Sequence, residues 1–140
     1  MGIRQLSVFV ANKKGSLHEI TDVLAKASVD LRSMCIADTS DYGIVRLIVN
    51  DPDLAQKTLL EAGHTAKLRT VTAFAVPDVP GGLATVLSLL EGEGVNIEYL
   101  YALVTKTAGK AYAVARTDDH EKAEKILAAN GVELLDEAHI

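Results

Sequence analysis

Eight residues in the middle of the chain, Val76-Pro77-Asp78-Val79-Pro80-Gly81-Gly82-Leu83, bring together groups that suit both charged ends of a free amino acid. Pro80 fixes φ, and Gly81 and Gly82 add no side chains, so the first backbone N–H groups of a following helix stay uncovered and can point at a carboxylate. Asp78 stands beside them with a short carboxylate that suits an ammonium group. Turns with Pro and Gly between a strand and a helix are common in purely structural roles, so the motif alone points first to structure. What raises the functional reading is that it occurs twice.

The elements around the turn follow from hydrophobic period. Before it Thr72, Phe74 and Val76 alternate on one face of a strand; after it Leu83, Val86, Leu87 and Leu90 fall on one face of a helix. An offset of 66 residues superposes the first half of the chain on the second. Val10 matches Val76, Asn12 matches Asp78, Gly15 matches Gly81, Leu17 matches Leu83, and the register continues through Asp30 with Asn96 and Leu31 with Ile97. Insertions of one or two residues then pair Leu47 with Val114, Asp51 with Asp118, Leu59 with Leu127 and Gly63 with Gly131.

Each half reads as the same series of elements. In the first, Leu6, Val8 and Val10 form a strand, and Ser16 with Glu19 reads as a capping box for a helix carrying Leu17, Ile20 and Leu24. A strand follows from about Leu31 to Ala37, a hairpin loop over Asp38 to Gly43, and a return strand from Ile44 to Val49. Asp51 and Pro52 open a second helix, Gly63 ends it, and His64 to Leu68 is available as a closing strand. The second half repeats this with strand Val71 to Val76, helix Gly82 to Glu93, strand Ile97 to Val104, a turn near Thr107 to Gly109 and strand Ala111 to Arg116. It ends with a helix capped by Asp118 with Glu121 and a closing strand from Val132 to Leu135. The fold expected is α+β, two ferredoxin-like βαββαβ units over residues 1–69 and 70–140, each an antiparallel sheet with its helices on one face. No linker composition separates them, so the last strand of the first unit is expected to run almost directly into the first strand of the second.

Composition narrows the function classes. The 140 residues are 49% apolar with six aromatics and no Trp, so the core is expected to be built from Leu, Val, Ile and Ala. A net charge of −5, with Lys13-Lys14 the only adjacent basic pair, offers no footprint for nucleic acid. Cys35 is the only cysteine and cannot form an internal disulfide. Neither a signal peptide nor a membrane span is legible, and a cytoplasmic protein is expected.

The pattern N/D-x-x-G-x-L at the first turn of each unit, followed by V-[DN]-[LI] opening the next strand, resembles an ACT domain, and the resemblance covers the whole chain as two tandem copies. It is strongest in the second, where D-V-P-G-G-L is followed by Gly94 to Leu100, G-V-N-I-E-Y-L; the first has Lys14 where Pro80 stands and Asp30 where Asn96 stands. The resemblance implies a small regulatory module that binds a free amino acid where the turn of one module meets a neighbour. Carried over by position, the ligand-binding residues are Asp78, Gly81, Gly82, Leu83, Asn96 and Ile97 in the second unit. Their equivalents in the first are Asn12, Gly15, Ser16, Leu17, Asp30 and Leu31. The glycine and leucine N–H groups would take the ligand carboxylate, and Asp78 or Asn12 the ammonium.

A catalytic constellation is not legible. His18, His64, His120 and His139 have no metal-ligand spacing, no Ser lies in a G-x-S-x-G context, and no His pairs with Cys35 in the sequence. Asp78 would repel a phosphate, against an acylphosphatase-like use of the same fold. The reading is therefore a non-enzymatic, cofactor-free regulatory protein of amino-acid metabolism, acting through a homodimer or a metabolic enzyme partner. Two alternatives stand beside it. One is a regulatory subunit of a biosynthetic enzyme such as acetolactate synthase, whose small-subunit module the second unit is similar to; the other is a structural pairing module without ligand. The homodimer is expected because open sheets leave edges that natural proteins cover or pair.

Overall fold

The computed structural model describes residues 2–38, 41–104 and 108–140. The expected hairpin loop at Asp38–Gly43 and the expected turn at Thr107–Gly109 therefore lie partly outside the described residues, at Thr39, Ser40 and Thr107. The chain divides into two compact units, Arg4–Arg69 and Met1–Ile3 with Thr70–Ile140, called here the N-terminal and C-terminal units.

The elements come in the order β1 (Ile3–Ala11), α1 (Ser16–Lys26), β2 (Leu31–Asp38), β3 (Tyr42–Val49), α2 (Pro52–Glu61) and β4 (Ala66–Pro77). Then follow α3 (Gly82–Gly92), β5 (Ile97–Leu103), β6 (Lys110–Thr117), α4 (His120–Ala129), β7 (Leu134–Leu135) and a 3-10 turn at Glu137–His139. As expected from the absence of a linker, β4 is one strand of 12 residues that spans the division at Arg69 and Thr70.

In the N-terminal unit β3 lies antiparallel between β2 and β1, with Leu6 opposite Leu47 and Val8 opposite Val45. The alternation of β1 puts Leu6 and Val8 on the face that packs with Ile20 and Leu24 of α1 and Leu59 of α2, all at 1% exposure or less. The C-terminal unit repeats this: β6 lies between β5 and β4, Phe74 sits opposite Ala113, and Phe74, Val86, Leu90 and Leu127 form the core. Both edge strands carry an irregularity at the same repeat position, between Leu31 and Ser33 in β2 and between Ile97 and Tyr99 in β5.

The ladders correct the pairing of the halves. Leu6 faces Leu47 and its equivalent Thr72 faces Ala115, so Leu47 corresponds to Ala115 and not to Val114; the offset is 68 from the hairpin onward. The same shift moves the cap of α4. Asp119, not Asp118, accepts from the Lys122 N–H, as Asp51 accepts from the Leu54 N–H in α2. Asp118 instead accepts from the Asn96 N–H, the position at which Asn50 accepts from Asp30. Each of these side chains ties the start of an edge strand to the end of its neighbour and saturates a backbone N–H.

The Ser16–Glu19 capping box does not form. Gly15 is the N-cap residue of α1, in the left-handed region at φ 87, with no side-chain cap, and Ser16 is the first helical residue. Glu19 reaches out to His64, with Oε1 3.4 Å from Nε2.

Candidate functional site

The two strand-to-helix turns are built by the same hydrogen bonds. In the N-terminal unit the Lys13 N–H donates to Ala11 O at 2.9 Å, Asn12 N–H to Asp41 O at 2.9 Å and Ser16 N–H to Lys13 O at 3.2 Å. In the C-terminal unit the Val79 N–H donates to Pro77 O at 2.9 Å, Asp78 N–H to Gly109 O at 3.2 Å and Gly82 N–H to Val79 O at 3.0 Å. Each turn then enters its helix through a left-handed glycine, Gly15 at φ 87 and Gly81 at φ 80, a conformation that a side chain would strain. Helical bonding starts at Glu19 and Thr85, which donate to the glycine carbonyls. Among the described residues, this leaves the N–H groups of Gly15, Leu17 and His18, and of Gly81, Leu83 and Ala84, without a protein acceptor.

One expected donor is excluded. The Gly82 N–H is spent on Val79 O, so Gly82 does not offer it to a carboxylate. Its role is steric: a Cβ there would lie 2.1 Å from the Pro77 carbonyl oxygen, so the turn closes only over a glycine. Ser16 occupies the same place in the N-terminal unit and carries a side chain.

Asp78 and Asn12 stand exposed at the start of their turns, with Leu83 38% exposed and Leu17 half-buried against the core of its own unit. A shallow cavity of about 120 Å³ lies at the first turn, lined among others by Asn12, Ser16, Leu17 and Ile36. The other expected site residues lie elsewhere in each unit. Asp30 and Leu31, and Asn96 and Ile97, follow the far ends of α1 and α3, helices of 11 residues that span about 16 Å. Asp30 faces Arg32 at 3.2 Å, Leu31 opens β2, and Asn96 is exposed with its N–H on Asp118. Ile97 packs against the C-terminal core. Within one unit these residues do not join the turn.

Three features escape a reading of the sequence. A cavity of about 550 Å³ in the C-terminal unit runs beside the turn, touching Pro77 and Gly109, between the end of β4, α3 and the loop before β7. Lys110 and Glu133 form an ion pair on its lining, and the Glu133 carboxylate, accepting from the ammonium, raises the Lys110 pKa above its ordinary value. Among the described residues, His120 at the start of α4 keeps a buried Nδ1 without a hydrogen bond, as His64 does its Nε2. The rings of Tyr99 and Tyr101 stack with centroids 6.4 Å apart, and Glu98 pairs with Arg116 of the neighbouring strand. Among the described residues no group of three or more His, Cys, Asp or Glu is placed to hold a metal ion, and no helix is long and apolar enough to cross a membrane.

A family model described as an ACT domain pair matches residues 1–140. A search of the curated proteins gives no match. Among solved structures, a protein from Bacteroides thetaiotaomicron is similar over 96% of this chain and 92% of its own, at 41% identity and a TM-score of 0.90. The ligand-free regulatory subunit of aspartate kinase from Thermus thermophilus shares the fold at 16% identity and a TM-score of 0.64, covering 90% of this chain and 91% of that one. The corresponding subunit from Thermus flavus does so at 18% identity and a TM-score of 0.61, covering 90% and 88%.

Proposed function

From the premise that the chain belongs to the ACT domain pair family, we propose that it is a regulatory protein of amino-acid metabolism, not an enzyme, which binds a free amino acid at its strand-to-helix turns. The observation that carries this reading is the duplicated turn. In each copy three backbone N–H groups without a protein acceptor converge at a helix N-terminus, beside Asp78 in one and Asn12 in the other. Such a group of donors, with the helix dipole behind it, stabilises a carboxylate, and Asp78 supplies the opposite charge for an ammonium. The C-terminal turn is the stronger site, because Asn12 brings no charge.

Asn96 and Ile97, or Asp30 and Leu31, complete such a site only when a second module brings them to the turn. The proposal therefore includes a homodimer in which residues 1–69 and 70–140 act as modules, in the cytoplasm, with ligand binding altering the assembly. A second reading, a subunit that answers to a metabolic enzyme, is favoured by the shared fold with regulatory subunits of aspartate kinase.

Isothermal titration of the protein against the twenty amino acids tests the proposal. One of them gives saturable heat, and Asp78→Asn weakens it roughly 10- to 100-fold, the loss expected for a charge-assisted hydrogen bond of about 1.5–3 kcal/mol. Silence across the panel, or unchanged affinity in Asp78→Asn, overturns it and leaves a pairing module without ligand.

A further inference from the structure

The second helix of each unit closes in the same way, with one chemical difference. At the end of α2 the Ala62 N–H donates to Thr58 O at 3.1 Å, Gly63 N–H to Leu60 O at 3.0 Å and His64 N–H to Leu59 O at 2.9 Å. At the end of α4 the Asn130 N–H donates to Ile126 O at 3.2 Å, Gly131 N–H to Ala128 O at 3.1 Å and Val132 N–H to Leu127 O at 2.9 Å. Both caps leave the helix through a left-handed glycine, Gly63 at φ 88 and Gly131 at φ 73. The residue before that glycine is Ala62 in one unit and Asn130 in the other, so only the C-terminal cap sets a side-chain amide next to a glycine. Asn130 and Gly131 are both exposed, and the Asn130 Nδ2 donates to Ile126 O at 2.8 Å.

We propose that Asn130 is a self-modification site, at which the Gly131 nitrogen displaces the side-chain amide once the last turn of α4 opens. In that step the Gly131 nitrogen loses its proton to solvent base and bonds to the Asn130 Cγ, while the Cγ–Nδ2 bond breaks and ammonia leaves, giving a cyclic imide. Water then adds to one of the ring carbonyl carbons. Addition at Cγ leaves an aspartyl residue; addition at the main-chain carbonyl leaves an isoaspartyl linkage, with Cβ in the backbone. Such an attack is hindered by the side chain of the residue that follows, and glycine has none. The other asparagines, Asn12, Asn50 and Asn96, precede Lys13, Asp51 and Ile97. The fold gates the reaction. Ring closure needs the Gly131 nitrogen eclipsed with the Asn130 Cβ, and at ψ 13 it is nearly eclipsed with the Asn130 nitrogen instead. The bonds to Ile126 O and Ala128 O hold both reacting groups in that arrangement, so the last turn must open first, and helix ends open at a lower free energy than the core. The product weakens the cap it came from. A carboxylate at this place donates nothing to Ile126 O and stands at the negative end of the helix. An isoaspartyl linkage adds a backbone bond just before the Gly131 and Val132 N–H groups that close the cap, ahead of β7 and its pairing with β4. The change is one-way and accumulates with the age of the molecule, and it does not depend on ligand binding.

The test is peptide mapping by mass spectrometry of the full chain, held in mildly alkaline buffer for ~100 times the half-time that the same chain shows in urea. The peptide carrying Asn130 exchanges ammonia for water, with isoaspartate identified by methyltransferase labelling. It does so roughly 10- to 100-fold more slowly in the folded chain than in urea, and faster as pH rises. Asn130→Ala, which installs the cap of the N-terminal unit, abolishes the conversion. Ala129→Gly, at an exposed position of the last turn, speeds it roughly 5-fold in the folded chain and not in urea. Asn130→Asp, which copies one product, makes the Gly131 and Val132 amides exchange hydrogen roughly 2- to 5-fold faster. The inference is overturned if the folded chain stays unmodified throughout, if another asparagine reacts first, or if the folded and unfolded chains react at one rate. It is overturned too if Ala129→Gly leaves the folded rate unchanged, or if Asn130→Asp leaves the cap amides as they were.

Discussion

The two units have the same backbone plan and different side-chain solutions. The turn bonds from Ala11 and Pro77 onward, the left-handed Gly15 and Gly81, the carboxyl or amide clasp at Asn50 and Asp118, and the edge-strand irregularities all recur. The core does not repeat residue by residue. Val8 against Val45 in one unit is Phe74 against Ala113 in the other, two middle-sized residues against one large and one small. The close packing of protein interiors is a constraint on the sum of volumes across a pair, so a duplicated backbone leaves each pair free to divide it differently. Around the turns too the residues differ, with Asn12 against Asp78 and Ser16 against Gly82.

The largest effect is expected at the unequal core pair. Phe74→Ala costs about 3–5 kcal/mol, against roughly 2 kcal/mol for Val8→Ala, measured by urea denaturation. Phe74→Val with Ala113→Val, which rebuilds the N-terminal pair, recovers most of the loss of Phe74→Val alone; strict additivity would break the idea that the pairs trade volume. Next comes the turn. Gly82→Ala drives a Cβ against the Pro77 oxygen and costs about 1–3 kcal/mol or more, whereas Ser16→Ala stays within about 0.5 kcal/mol. Equal melting points for these two variants would show that the turns are interchangeable.

Smaller effects separate the neighbouring acids Asp118 and Asp119. Asp119→Ala and Asp51→Ala each cost about 1 kcal/mol as lost helix caps. In hydrogen exchange, Asp119→Ala exposes the Lys122 amide and Asp118→Ala the Asn96 amide; the opposite assignment would undo the corrected register. The smallest effect belongs to Asp22, whose pKa is lowered chiefly by the hydrogen bond from Lys26. A depressed carboxylate pKa gives stability that is present above the usual carboxylate range and lost as pH falls through the folded value. The pair is exposed and screened by salt, so the measurement is a carboxyl NMR titration. Its Asp22 midpoint lies low and returns to the ordinary value in Lys26→Ala. Ser88 and Gly92 occupy the equivalent places in the C-terminal unit, so the pair has no counterpart at those positions.

Much of this was legible before any coordinates. The alternation of Thr72, Phe74 and Val76, the helical spacing of Leu83, Val86, Leu87 and Leu90, and the glycines that end each helix are local signals. Asp51 before Pro52 announced a cap correctly; Asp118-Asp119 offered two adjacent acids, and only the ladder showed which one reaches the helix. Glu19 fitted a capping box by spacing, and a partner 45 positions away in the chain, His64, took it instead.

The sequence by itself determined the duplicated order of strands and helices and the places where each turn needs a glycine, because hydrophobic period and φ preference act over a few neighbouring residues. Tertiary structure decided which turn N–H groups, among the described residues, lack a protein acceptor and why Gly82 cannot carry a side chain. Those outcomes depend on atoms that meet across the fold, as Lys110 meets Glu133 and as a Cβ at Gly82 would meet the Pro77 carbonyl, and strand register and side-chain volume govern such meetings.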